Sequence, residues 1–227
     1  MKQFSPKEDK IRDEIRSVYN SGRCVRALEM ATDFLKEFPD SLQAKYTYAV
    51  MSGDYSYEAK HSDAEKEELL KIAKAGIEEL FKHPDLSQYP QRFQKSVKNE
   101  YYWFHELPEE QYKLGINDLT IEARGAHYSA CVGASMLALK MLKQGSRLVA
   151  EEWANKSWHH FQEFEKLAPD WHNINYFAAQ AQACLGNYDF AKVVYLDTFR
   201  KQKGDIKKDE VTKFDSNIES IKLFRQK

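Results

Sequence analysis

Cysteine, glycine and proline are all scarce in this sequence. The three cysteines, Cys24, Cys131 and Cys184, lie far apart and form no C-x-x-C pair. They offer neither a disulfide framework nor a zinc motif, and they are typical of a reducing compartment. Nine glycines and six prolines in 227 residues are too few for the closely spaced turns of a β-sandwich. The sequence therefore predicts an all-α protein.

Charge of one sign and long apolar runs are also lacking. The net charge is −1, so no overall field attracts nucleic acid or an anionic membrane. The uncharged run 125–139 is fifteen residues, whereas a membrane-spanning helix needs about twenty apolar residues. The charged segment 1–14 does not resemble a signal peptide. We predict a soluble, cytoplasmic protein with no nucleic-acid partner and no membrane insertion.

The common motifs of catalysis are missing too. No G-x-x-x-x-G-K-[ST], G-x-G-x-x-G or G-x-S-x-G sequence occurs. His159 with Glu163, and His127 with Cys131, have i,i+4 spacing, but neither pair has a third ligand at a suitable spacing for zinc. We predict no metal, no cofactor and no enzymatic activity. Paired carboxylates in a cleft are an alternative that sequence alone leaves open.

What the sequence does contain is a recurring Pro-acid step. It occurs at 38–40, 83–85 and 168–170, with a looser copy at 107–109. Proline cannot continue a helix, and the acid after it can cap the helix that follows. Each copy therefore predicts the end of one helix and the start of another.

Glycines fall between these prolines. Gly22, Gly53, Gly145 and Gly186 each follow a run with helical apolar spacing, where glycine suits a left-handed helix end. The alternation predicts antiparallel helix pairs. The predicted helices are 6–20, 24–37, 41–53, 62–82, 87–105, 109–116, 118–143, 147–167, 171–185, 188–202 and 206–225.

The segments around Gly22 and Gly186 resemble the tetratricopeptide repeat, a helix-pair family. The first match consists of Ile11, Ile15, Val18, Ala27, Ala31, Phe34 and Pro39, and the second of Ala178, Ala179, Tyr188, Ala191 and Tyr195. Around Gly145 the match is weaker, because Pro169 comes seven residues later than the family pattern expects. The resemblance implies a short solenoid of stacked helix pairs over 1–204, with an irregular middle at 54–118.

The final segment, 205–227, has the pattern of an amphipathic helix. Its apolar residues recur at helical spacing: Val211, Phe214, Ile218, Ile221 and Phe224. A repeat stack needs a terminal element with a polar outer face. We predict a capping helix that belongs to the same domain and packs on the pair around Gly186. The alternative is an amphipathic helix that docks on a partner.

The family resemblance implies a concave groove lined by the first helix of each pair, which holds a peptide or a partner helix. Candidate groove residues are Arg12, Arg16, Tyr19, Tyr176 and Gln180. The carboxylate clamp of chaperone-binding members is only partly present, so that role is not supported. The resemblance thus implies a protein-protein interaction scaffold. A small-molecule or peptide sensor is the alternative, and a helical enzyme is less favoured.

An aromatic run, 101–104, is the densest ring cluster in the sequence. Consecutive helical residues point in all directions, so Tyr101, Tyr102 and Trp103 cannot all face one core. Two interpretations stay open. The rings pack between helix layers, or one or two of them face a partner, as tyrosine and tryptophan often do at binding hot spots.

Overall fold

The computed structural model describes residues 2–56, 61–117, 119, 123–171, 173–201 and 208–226. These residues form eleven α-helices and one short 3-10 helix, and no strand occurs among them. The all-α prediction is therefore confirmed. The chain divides into two compact units, 1–105 and 106–227. The division lies inside the segment that the sequence marks as irregular.

Unit 1 contains five α-helices and the 3-10 helix: α1 Pro6–Asn20, α2 Cys24–Glu37, α3 Leu42–Ser56, α4 Asp63–Phe81, the 3-10 helix Leu86–Gln88 and α5 Gln91–Phe104. Each α-helix packs against the next, and α1 also packs against α3. One core cluster gathers around Ile15 and Phe34, and a second around Ile77, Leu80 and Val97. These side chains are almost fully buried.

Unit 2 contains six α-helices: α6 Pro108–Asn117, α7 Ala123–Lys143, α8 Arg147–Leu167, α9 Asn175–Leu185, α10 Tyr188–Lys201 and α11 Lys208–Arg225. Consecutive helices pack together, α7 also packs against α9, and α11 packs on α7, α9 and α10. Phe214, Ile218 and Ile221 of α11 are buried. Arg225 forms a salt bridge with Glu151 at 2.9 Å and ties the end of α11 to α8.

Three of the four glycines predicted as helix ends are confirmed. Gly22, Gly145 and Gly186 have φ angles of 77°, 77° and 91°, in the left-handed region that suits glycine after a helix. The prediction for Gly53 is wrong, because α3 continues through it to Ser56. A Cβ atom at Gly53 would lie 2.9 Å from the Phe104 ring, so this glycine allows close packing inside unit 1.

The predicted capping role of the acid after proline is also wrong at two positions. The hydroxyl of Ser41, not Asp40, accepts a hydrogen bond from the Ala44 amide at 3.2 Å at the start of α3. Asp85 precedes the 3-10 helix without a side-chain cap bond. The prolines still mark the breaks between helices, since their rings cannot be accommodated in a helix interior.

Small residues let α6 and α7 approach closely. A Cβ atom at Gly115 would lie 2.5 Å from the Ala130 amide nitrogen, and one at Gly133 would lie 2.6 Å from the Tyr112 amide nitrogen. Close backbone packing therefore explains glycine inside these helices despite its cost of about 1 kcal/mol relative to alanine. In the part of the chain that the structure describes, no helix has both the length and the apolarity needed to cross a bilayer.

Candidate functional site

The three candidate residues of α1 have different surroundings. Arg12 is half-buried and donates hydrogen bonds to Asp9 at 2.8 Å, Asp13 at 2.9 Å and Gln43 at 3.2 Å. Its bond to Gln43 ties α1 to α3, so Arg12 supports the fold of unit 1.

Arg16 and Tyr19 belong to a cluster of polar side chains contributed by α1, α3 and α5. We call Arg16, Tyr19, Tyr46, Asp54 and Glu100 the acid–tyrosine cluster. The Tyr19 hydroxyl donates a hydrogen bond to the Asp54 carboxylate. Charge interactions link Glu100 with Asp54 and Arg16, and link Tyr46 with all three. The structure thus combines two predicted residues with three that the sequence analysis did not select.

Helical spacing explains how these side chains converge. Arg16 and Tyr19 are three residues apart on α1, and therefore lie on one face of that helix. Tyr46 and Asp54 are eight residues apart on α3, slightly more than two turns. On α5, Glu100 follows Ser96 by four residues, and the Ser96 side chain is hydrogen-bonded to Tyr46. One face of each of the three helices therefore contributes to the acid–tyrosine cluster.

Burial changes the acidity of this cluster. Asp54, Glu100 and Tyr46 are each half-buried, whereas Arg16 is exposed. Desolvation raises the pKa of Asp54 to about 7, although the Tyr19 hydrogen bond opposes the rise. Desolvation and the nearby charge of Asp54 raise the pKa of Glu100 to about 8, against smaller opposing effects of Asn99 and Arg16. Desolvation also raises the pKa of Tyr46.

The two carboxyl groups therefore titrate as a pair close to neutral pH. Within the described ranges, neither Asp54 nor Glu100 forms a salt bridge with a lysine or an arginine. Asp85, another acid of unit 1, behaves differently, since it pairs with Lys2 at 2.6 Å and this bond to Lys2 lowers the pKa of Asp85. Asp54 and Glu100 are thus distinguished by burial without a salt bridge to a basic side chain of the described residues.

Asp54 and Glu100 could not be identified from the sequence, for a physical reason. Because Gly53 was interpreted as a helix end, Asp54 was placed in a loop outside α3. Glu100 is far from Asp54 in sequence, and only packing brings the two together. A signal was nevertheless present, since Ser96 and Glu100 repeat with helical spacing on one face of α5.

The aromatic run on α5 contributes mainly to packing. The Tyr101 ring stacks on Phe81 with 3.8 Å between ring centroids and joins the core cluster of α3, α4 and α5. Phe104 lies against Gly53. Tyr102 and Trp103 are half-buried. Packing between helix layers is thus observed for Tyr101.

The candidate residues of α9 lie against other helices of unit 2. Gln180 is buried, and its amide donates hydrogen bonds to the Ser135 carbonyl at 3.2 Å and to the Ser135 hydroxyl at 3.0 Å. The Tyr176 hydroxyl accepts a hydrogen bond from Asn217 of α11 at 3.2 Å. Both side chains thus have partners inside unit 2.

His127, from one of the two pairs considered in the sequence, lies against His160, which belongs to neither pair, across the contact between α7 and α8. The Nδ1 atoms of His127 and His160 lie 2.9 Å apart. Desolvation lowers the pKa of His160 to about 4, and also lowers that of His127. Among the described residues, no group of three or more histidine, cysteine, aspartate or glutamate side chains is arranged to hold a metal ion.

The acid–tyrosine cluster is thus the candidate functional site. Its carboxyl groups can accept hydrogen bonds, exchange protons near neutral pH and attract a cation. Comparison of the chain with protein-family models, curated proteins and solved structures finds no match.

Proposed function

We propose that this protein is an interaction module that binds a peptide or a partner helix on a face formed by α1, α3 and α5. The proposal includes the finer architecture implied by the sequence, a tetratricopeptide-like stack in which these three are the first helices of successive pairs. The packing of α1 against both α2 and α3 supports it. In such a stack, first helices lie side by side and line one surface.

One observation carries the proposal: half-buried ionisable groups from three helices converge, and in the described ranges neither carboxyl among them forms a salt bridge with a lysine or an arginine. Removing a carboxylate from water costs free energy unless it is paired, so a fold under selection for stability alone would place apolar residues here. Ionisable groups with strongly shifted pKa values concentrate at functional sites. Tyr19 and Tyr46 add rings and hydroxyls of the kind enriched in binding hot spots.

Selection of random displayed peptides on the immobilised full-length chain tests this function. Selected peptides should bind the Tyr19→Phe/Asp54→Asn double variant at least about tenfold more weakly, the loss expected for a charge-assisted hydrogen bond. Tyr176→Phe is the matched control, because it removes a hydroxyl from the candidate residue of α9 in unit 2. Peptides that bind the double variant and the wild type equally well would contradict the proposal.

A small-molecule sensor is the second candidate function. The observation that favours it is the proton-exchanging pair formed by Asp54 and Glu100, since a small cation could displace a proton there. This role differs from the first because the ligand is a small molecule and not a peptide or a partner helix. If the protein is such a sensor, the peptide selection should yield no binder that depends on the acid–tyrosine cluster.

A further inference from the structure

A short non-helical segment in front of α1 packs across α5. We call residues 2–4 the strap. The Phe4 ring of the strap stacks on Tyr89 and meets Phe93 edge-on, with 4.9 Å between ring centroids in both contacts. Phe93 in turn lies edge-on to Tyr46 of α3 at 5.5 Å. The ring surface beneath the strap therefore continues to the acid–tyrosine cluster, of which Tyr46 is a member.

The helix that follows is complete without the strap. The Ser5 hydroxyl accepts a hydrogen bond from the Glu8 amide at 3.2 Å, and the Glu8 carboxylate accepts one from the Ser5 amide at 2.7 Å. This reciprocal capping box stabilises the first turn of α1. Pro6, the first residue of α1, has no amide hydrogen to satisfy. The strap can therefore leave the α5 surface while α1 keeps its start.

The strap is held mainly by its one aromatic ring. Phe4 is half-buried, whereas Lys2 and Gln3 are exposed. The Lys2 amide donates a hydrogen bond to the Gln88 carbonyl at 2.7 Å, and the Lys2 ammonium pairs with Asp85 at 2.6 Å. The two side chains of this ion pair are 46% and 37% exposed, so water and salt screen their attraction. A ligand that brings an equivalent ring can thus displace the strap.

We propose that the strap is an internal competitor of the partner, and that the partner segment presents an aromatic side chain which replaces Phe4 against Tyr89 and Phe93. This inference rests on the proposed function, because the ring surface joins the α3 and α5 part of the binding face through Tyr46. Contiguous apolar surface marks sites that bind partners. The strap covers this surface at an effective concentration on the order of millimolar, and so weakens the binding of any free segment.

A pentapeptide with the sequence of the strap and the two residues after it, acetyl-Lys-Gln-Phe-Ser-Pro-amide, tests the competition on the full-length chain. The ring signals of Tyr89 and Phe93 in NMR spectra report its binding. The Phe4→Ala variant should bind this peptide at least about tenfold more tightly than the wild type, the gain expected when a site that is about 90% closed becomes free. A pentapeptide with alanine in place of phenylalanine should cause no saturable shift.

Two further variants sharpen this test. Lys2→Ala removes the ion pair but keeps the Phe4 ring, so it should also increase the affinity for the pentapeptide, by a smaller factor. Phe190→Ala is the matched control, because it removes an exposed ring from α10 in unit 2, and it should bind as the wild type. Circular dichroism of each variant verifies its fold. Equal affinity of the wild type and both strap variants, or equal binding of the alanine pentapeptide, would overturn the inference.

The peptide selection separates this inference from the proposed function. If the selected peptides carry an aromatic residue and their binding releases Phe4 from Tyr89 in the wild type, both stand. Peptides that require the acid–tyrosine cluster but leave Phe4 in place would keep the function intact and overturn the competition. If no selected peptide requires the cluster while the pentapeptide still binds Phe4→Ala tightly, the partner-binding function fails and the ring site stands alone.

Discussion

The two units should respond to pH in opposite directions, and unit 1 gives the sharper prediction. Burial raises the pKa of Asp54 from 3.8 to about 7 and that of Glu100 from 4.5 to about 8. At a pH between the ordinary and the raised pKa of each carboxyl group, the folded chain binds more protons than the unfolded chain. The resulting stability is fully present near pH 4 and is lost as pH rises towards 8. Each titrating carboxyl contributes a slope of at most about 1.4 kcal/mol per pH unit.

Glu100→Gln removes one of the two titrating groups, and also the charge that opposes ionisation of Asp54. The variant should therefore lose less stability than the wild type between pH 5 and pH 8, with the slope reduced by up to about 1.4 kcal/mol per pH unit. Native-state hydrogen exchange at amides of α3 and α5 in the full-length chain measures how the stability of these helices changes with pH. Glu14→Gln, which changes an exposed acid on α1, should behave as the wild type. A wild-type stability that stays flat or rises with pH would refute the reasoning.

Three further predictions concern unit 2. Burial lowers the pKa of His160 to about 4. The amides of α8 should therefore lose protection from hydrogen exchange as the pH falls from 6.5 to 4, by at most about 1.4 kcal/mol per pH unit. Protection that stays constant over this range would contradict the prediction. The Lys201 side chain is 7% exposed and pairs with Glu165 and Asp197. The substitution Lys201→Ala should therefore destabilise the fold by roughly 3–5 kcal/mol, because it leaves both carboxylates without this partner. A change below about 1 kcal/mol in the free energy of urea unfolding would refute this role of Lys201. Deleting 205–227 should lower the melting temperature and promote association, because it exposes the surface that Phe214 and its buried neighbours cover. An unchanged melting temperature would instead favour α11 as a partner-docking helix.

Local signals predicted much of the fold. The ends of α1 and α2 match the prediction because proline, glycine and a capping box act over a few residues. Ser5 and Glu8, for instance, exchange cap hydrogen bonds at the start of α1. Sequence-based prediction fails where one residue is compatible with two local structures. Gly53 could end a helix or admit a neighbour, and only the position of Phe104, far along the chain, decides between them.

The candidate site was less predictable than the fold. Helical spacing placed Arg16 and Tyr19 on one face of α1, but it could not show which side chains α3 and α5 bring beside them. Gln180 illustrates the opposite difficulty, because the family resemblance implied a position in a groove, whereas packing against α7 buries this side chain. Burial and charge coupling arise from tertiary contacts, and so the shifted pKa values of Asp54 and Glu100 were invisible to sequence reasoning.

The central claim is that a partner segment binds on the face formed by α1, α3 and α5. Titrating the isotope-labelled full-length chain with a selected peptide, and following amide chemical shifts residue by residue, tests it most directly. The account predicts saturable shifts around Arg16, Tyr19, Tyr46, Asp54 and Glu100, with little change along α9. Saturable shifts confined to α9 and α11, with the α1, α3 and α5 amides unmoved, would contradict it.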